Sequence, residues 1–253
     1  MSEGICPFAV WCPGPEWKTG YSGRDKIHIK VGVALHSAEY ESTPEWDDYT
    51  TLHNALFSDR EASWTFSICD FLWYGQEAAI LFQHYPIGTV CWAQGYQGNL
   101  WLDSIEHERI APHKLTGPQY ELLVKTLRWV WRERGWLYHL GIGNKQTPLG
   151  VWEGKSYLAG WLFDHNAVPG APATDCQVFT RGQIDPQQLL RDLKEEGMDW
   201  PKAKLELFNQ FLDWFDLFPE SEAEKKDAIR QERENNAYRE FYDKQIAWRS
   251  PPR

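Results

Sequence analysis

The sequence predicts an α/β domain that carries an all-helical C-terminal appendage. Three observations lead there. Apolar residues alternate with a two-residue period in several segments of the first half, as in half-buried strands. Between 115 and 135 they recur instead at helical spacing. Beyond Asp185-Pro186 only three- and four-residue intervals remain. With 253 residues and 42% hydrophobic content, the chain has material for a substantial core.

The elements follow in order. Cys6 to Tyr21 is rich in Pro, Gly and Trp and is expected to run as an extended strap over the surface, within a strap region of 1–25. In 27–38, Ile27, Ile29, Val31 and Val33 alternate as in a strand that ends near His36. A helix is expected around Glu45 to Ser58. Strands are expected at Ser63 to Phe71 and Ala78 to Tyr85, joined at Tyr74-Gly75, with another at Leu100 to Ile110. Leu115-Thr116 opens a helix whose Leu122, Leu123, Leu127, Val130 and Trp131 share one face as far as Gly135. The first domain is expected to span 1–185. In 186–253, Leu189, Leu190, Leu193, Leu205, Phe208, Phe211, Leu212 and Phe215 mark amphipathic helices, and the last stretch mixes both charge signs.

Composition narrows the function. A net charge of -10 lacks the basic surplus that holds nucleic-acid phosphates, so no nucleic-acid partner is expected. The N-terminus has no basic segment followed by an apolar run, and no apolar stretch approaches the roughly 20 residues that span a bilayer. Neither a signal peptide nor stable membrane insertion is expected. Cys6, Cys12, Cys69, Cys91 and Cys176 are odd in number and form no CxxC pair, which favours reduced thiols over a disulfide framework. Fifteen tryptophans could offer ring faces to sugars, but large aromatics are also the usual filling of a core.

Two of the eight histidines stand out by context. His36 ends a strand in LHSAEY, and His165 lies in WLFDHNAVPGAPATDC, a Pro- and Gly-rich loop that also carries Cys176. A catalytic zinc takes three protein ligands and leaves one position open for water. His36, His165 and Cys176 would supply such a set, although a loop holding His, Asp and Cys can equally be one stabilised by ordinary hydrogen bonds.

LHSAEY, SWTF, FQHYPIGTVCWAQG, NLWLDSIEHER, LTGPQYELL and DHNAVPGAPATDC occur in that order over residues 6 to 185. In this the chain resembles the type 2 N-acetylmuramoyl-L-alanine amidase family, which also holds peptidoglycan recognition proteins and phage amidase lysins. The resemblance implies a mixed central β-sheet flanked by helices, with Zn2+ at one sheet edge in a groove. It implies His36, His165 and Cys176 as zinc ligands, Thr174 as the residue that steadies the developing oxyanion, and Glu106 as general base. Glu108 is the fallback base, and a plainer reading puts Glu106 and Glu108 together on one solvated strand face.

The chain also departs from the family pattern. Thr65 stands where many relatives carry a histidine before the phenylalanine, Ala93 or Gln94 where they read Trp-His-Ala-Gly, and Trp64 where some phage members have a catalytic tyrosine. The spacing from His165 to Cys176 suits aspartate-using relatives, which makes Asp175 a rival ligand. His84 and His107 are expected to line a groove or serve the structure. The expected partner is the muramyl peptide of peptidoglycan, and the expected reaction is cleavage between N-acetylmuramic acid and L-alanine by a phage or prophage endolysin. That enzyme would be held in the host cytoplasm before lysis and act at the cell wall. The alternative is a non-catalytic peptidoglycan-binding recognition module.

Overall fold

The computed structural model describes residues 4–21, 26–27, 30–38, 47–73, 76–109, 111–134, 139–147, 149 and 159–194. Among these residues seven strands form one mixed sheet: β1 (Val10–Trp11), β2 (Gly32–Ser37), β3 (Phe66–Trp73), β4 (Gln76–Gln83), β5 (Leu102–His107), β6 (His139–Ile142) and β7 (Ala159–Asp164). Their order is β1-β4-β3-β5-β2-β7-β6. The strands from β3 to β6 in that order run parallel, while β4 returns antiparallel to β3. The helices are α1 (Asp47–Phe57), α2 (Tyr96–Trp101), α3 (Gly117–Arg134) and α4 (Pro186–Lys194). The expected α/β class, with a mixed central sheet flanked by helices, is therefore the observed one.

Helix α3 starts where the sequence places it. Gln119 N–H donates to Thr116 Oγ1 at 3.3 Å and Thr116 N–H to Gln119 Oε1 at 3.0 Å, a reciprocal capping box. Its Leu122, Leu123, Leu127, Val130 and Trp131 are all buried. It packs on β3 and β4, with Trp129 edge-on to Phe66 at 6.2 Å between centroids. The register aligns Phe66, Ile105 and Leu35 in one row across this face. On the opposite face, Ala34, Leu102 and Phe163 join Val31 and Val168 in a second buried cluster.

The strap is more deeply set than a surface strap would be. Cys6 and Cys12 are buried, Cys12 N–H donates to Gln83 O at 2.9 Å, and β1 pairs with β4. Lys18 is fully buried and donates to Leu56 O at 2.6 Å and to Ala55 O at 3.3 Å, carbonyls at the end of α1, the second of which also accepts the Ser58 hydroxyl. Lys30 does the same for α2 through Asn99 O at 2.8 Å. Unpaired helix carbonyls carry partial negative charge, so an ammonium group there is partly compensated for its desolvation. Burial still pulls Lys30 down to about 8, with Asp103 opposing the shift.

Asp185 Oδ1 accepts the N–H groups of Gln187 and Gln188 and caps α4, which opens with Pro186. Helix α4 packs on α3 through buried Leu189 and a 2.6 Å bond from Tyr120 Oη–H to Asp192 Oδ2. The helices expected after α4, including the Leu205 to Phe215 stripe, lie outside the described residues. Among the described residues no helix is long and apolar enough to cross a membrane.

Gly32 opens β2 between two neighbours, and a Cβ there would stand 2.3 Å from the carbonyl oxygen of Trp161. Backbone cannot yield as a side chain can. Gly32→Ala is expected to lower stability by about 1–3 kcal/mol, read as a lower urea midpoint at unchanged m-value.

Candidate metal centre at the ends of the central strands

Parallel neighbours end on the same side of a sheet, and that geometry builds the site. His36 is the penultimate residue of β2, and His165 directly follows β7, the strand paired with β2. Their rings meet edge to face, with centroids 4.7 Å apart. The chain then loops out and returns so that Cys176 Sγ accepts the Ser37 N–H at 3.0 Å. One donor atom each from His36, His165 and Cys176 all lie within 4.8 Å of one another, and the three residues are buried. The site thus lies at the C-terminal ends of interior strands. This corrects the expected position at a sheet edge, because β2 and β7 each have strands on both sides.

Side chains hold the returning loop. Asp164 accepts three backbone N–H groups just past Cys176, from Val178 at 2.8 Å, Phe179 at 3.2 Å and Thr180 at 2.9 Å. Asn166 bonds both backbone groups of Thr174, accepting its N–H at 2.9 Å and donating to its carbonyl at 2.7 Å. Thr174 Oγ1 accepts the Cys176 N–H at 3.1 Å, and Lys145 Nζ donates to Val168 O at 3.0 Å. Asp164, Asn166 and Lys145 were not singled out in the sequence. The adjacency of Asp164 to His165 was the available signal.

The donor chemistry suits a borderline-soft cation. His36 Nε2 and both ring nitrogens of His165 are buried without a hydrogen-bond partner, a costly state for polar atoms unless something else coordinates them. Burial pushes His36 well below the usual histidine value, with His165 and His107 adding to the effect, and burial also lowers His165. Both imidazoles are neutral at pH 7 and able to ligate. The Cys176 thiol is pushed well above its usual value by burial and then by Glu106. Two neutral imidazoles and a thiol that a bound cation would deprotonate fit Zn2+.

Glu106 pairs in register with His36 on β2 and with Ser67 on β3. Glu106 Oε1 stands 3.8 Å from His36 Nδ1, and its side chain is 15% exposed. Because His36 is neutral, this contact is not an ion pair. Glu108 does not share a solvated face with Glu106, since it is fully buried and its Oε2 accepts the Asp70 N–H at 2.7 Å. That bond ties it to the backbone of β3 and argues against it as a fallback base. Asp175 is exposed and stands outside the donor group, one residue from a cysteine that points inward.

The remaining candidates serve the structure. His107 donates from Nδ1 to the His36 carbonyl at 2.7 Å. His84 Nδ1 stands 2.8 Å from the carbonyl of Cys12, which can only accept, so this nitrogen carries the proton. Nε2 then accepts from Ser67 Oγ–H at 2.8 Å, and Ser67 Oγ accepts the Trp64 indole N–H at 2.7 Å. Burial takes His84 down to about 3, so this chain stays neutral. Thr65 exchanges bonds with Ser104 between β3 and β5. None of the five cysteines is in a disulfide, and all five are buried.

No family model and no curated protein matches the chain. Among solved structures, it is similar to the catalytic domain of XlyA, at 13% identity and a TM-score of 0.48 over 73% of this chain and 98% of that one. It is also similar to AmpD, at 13% identity and a TM-score of 0.46 over 77% and 99%. A third is the endolysin N-acetylmuramoyl-L-alanine amidase LysCS from Clostridium intestinale URNW, at 12% identity and a TM-score of 0.42 over 76% and 99%.

Two outcomes follow from the site's geometry and charge. Asp164→Asn turns an NH2 group toward backbone donors, and is expected to cost about 2 kcal/mol of stability and to weaken zinc binding about 10–100-fold. Denaturant unfolding and chelator competition measure the two. With both histidines neutral and the thiol protonated at pH 7, zinc binding should release one proton, the one from Cys176. Affinity should then rise about tenfold per pH unit from pH 7 toward the thiol's raised pKa and flatten above it. Calorimetry in buffers of different ionisation enthalpy counts the proton.

Proposed function

We propose that the protein is a zinc-dependent amidase that hydrolyses the bond between N-acetylmuramic acid and L-alanine in peptidoglycan. The observation that carries this reading is the convergence of His36, His165 and Cys176, with Glu106 beside them on the adjoining strand. The substrate follows from the ordered landmarks between residues 6 and 185, whose resemblance to the type 2 amidase family bears on the residues that meet here. His36, His165 and Cys176 are the zinc ligands in this reading.

Amides are poor electrophiles and water is a poor nucleophile at neutral pH. Bound Zn2+ would polarise the amide carbonyl and acidify water at its open position. Glu106 takes the proton from the attacking water and returns it to the leaving amine of L-alanine. Its partial exposure leaves it accessible to substrate. Thr174 has its hydroxyl oxygen occupied by the Cys176 N–H, so the hydroxyl proton is what it offers to the developing oxyanion. Trp64 is buried with its indole N–H committed to Ser67, so proton transfer falls to Glu106. A phage or prophage endolysin, held in the host cytoplasm until lysis, is the setting we infer.

Zinc content and release of stem peptide from purified peptidoglycan test the reading. Cys176→Ala should lose both, and Asp175→Ala should keep both. Glu106→Ala should keep the metal and lose turnover by about 10²–10⁴-fold. A native protein that binds wall fragments, holds no zinc and frees no peptide would instead be a recognition module.

A further inference from the structure

Trp64, Trp129 and Trp131 are buried, but one group of aromatic rings reaches the surface. Trp17 meets Trp92 edge to face at 6.3 Å, Tyr21 stacks on Trp92 at 6.5 Å, and Tyr21 meets Tyr96 at 4.9 Å. Trp17 is 50% exposed and Tyr96 42%, with Tyr21 and Trp92 half-buried between them. The polar ends of the middle pair are tied down. Asn99 Nδ2–H donates to Tyr21 Oη at 2.6 Å, and Trp92 Nε1–H donates to Gly20 O at 2.8 Å. What this surface offers a ligand is therefore the exposed parts of Trp17 and Tyr96 at its two ends, with the middle pair held in place by hydrogen bonds.

We propose that Trp17, Tyr21, Trp92 and Tyr96 form a platform that binds the pyranose rings of a glycan strand. The C–H faces of a sugar carry slight positive charge and complement the negative face of an indole or phenol ring. Nucleobases also stack on such rings, but their phosphates meet a chain of net charge -10. The platform adjoins the loop between His165 and Cys176. Gly95, which precedes Tyr96, packs so closely on the loop between His165 and Cys176 that a Cβ there would lie 3.3 Å from Gly170 O and Pro172 Cδ. A glycan lying on the rings would run beside the loop that carries two of the three donors. The identity of that glycan as peptidoglycan rests on the amidase reading, whereas the stacking does not.

The test uses the full chain and the tetramer of N-acetylglucosamine, which has no stem peptide, with affinity read by ligand-observed NMR. The native protein should bind, and Trp17→Ala and Tyr96→Ala should each weaken binding about tenfold. Trp11→Ala removes an exposed tryptophan of β1, 38% accessible, and should leave binding unchanged. Far-UV circular dichroism checks that each variant is folded. No binding by the native protein, equal binding by the two platform variants, or an equal loss in Trp11→Ala overturns the proposal. So does a dimer that Trp17→Ala converts to monomer, because the face would then pair two copies. A protein that binds the tetramer through these rings but releases no stem peptide keeps the platform and loses the amidase reading.

Discussion

The arrangement of the site depends on one carboxylate turned back onto the backbone. Asp164 ends β7, and its two oxygens gather the N–H groups of Val178, Phe179 and Thr180. This closes the loop that leaves the sheet at His165 and brings Cys176 home against Ser37. A carboxylate that accepts several backbone donors forms strong, charge-assisted bonds. Without them, the thiol would be aimed from the Thr174 side alone, through the Thr174 turn and the Asn166 bonds that hold it. The two histidines need less support, because parallel strands deliver them to the same end of the sheet.

Burial then decides protonation. His36, His165 and Cys176 are 1%, 6% and 4% exposed, and each is held in its uncharged form by desolvation. For the histidines, neutrality means readiness, since the lone pair is free. For Cys176 it means the opposite: the proton leaves only when positive charge arrives. The same physics is met differently at Lys18 and Lys30, where helix-end carbonyls compensate a buried ammonium group. Those lysines have partners within the fold, whereas His36 Nε2 and both nitrogens of His165 have none.

Elements whose sequence signal is local were legible. Helix α3 combines a capping box with an apolar face, and its start and buried residues follow from both. The alternation over 27–38 begins before strand β2, whose residues Gly32–Ser37 are buried on both faces and so show none. Helix α2, with its YQGNLW sequence, is too short and too rich in weak helix formers to announce itself. Strands β1, β6 and β7 went unrecognised. The group His36, His165 and Cys176 is suggested by context and by landmark order, whereas its convergence depends on the register of β2 and β7. Asp175 and Cys176 are adjacent donors, and only the backbone path decides which one faces inward. Nor could spacing show that Asp164 answers amides 14 to 16 residues downstream.

The tryptophan-rich composition divides along the same line between local pattern and tertiary constraint. Trp64, Trp129 and Trp131 fill the interior as large aromatics usually do. Trp17 cannot join them, because its neighbour Lys18 already takes the inward direction and anchors on Leu56 O. In the short 3-10 turn of Glu16–Lys18 adjacent side chains diverge, so a buried Lys18 turns Trp17 toward solvent. The ammonium group stays 5.1 Å from the Trp17 ring centroid, a cation–π contact that further limits where the ring can go. The exposed indole is thus a consequence of how the strap is fastened. The fastening also fixes the ring before any ligand arrives, which reduces the entropy a stacking partner must overcome.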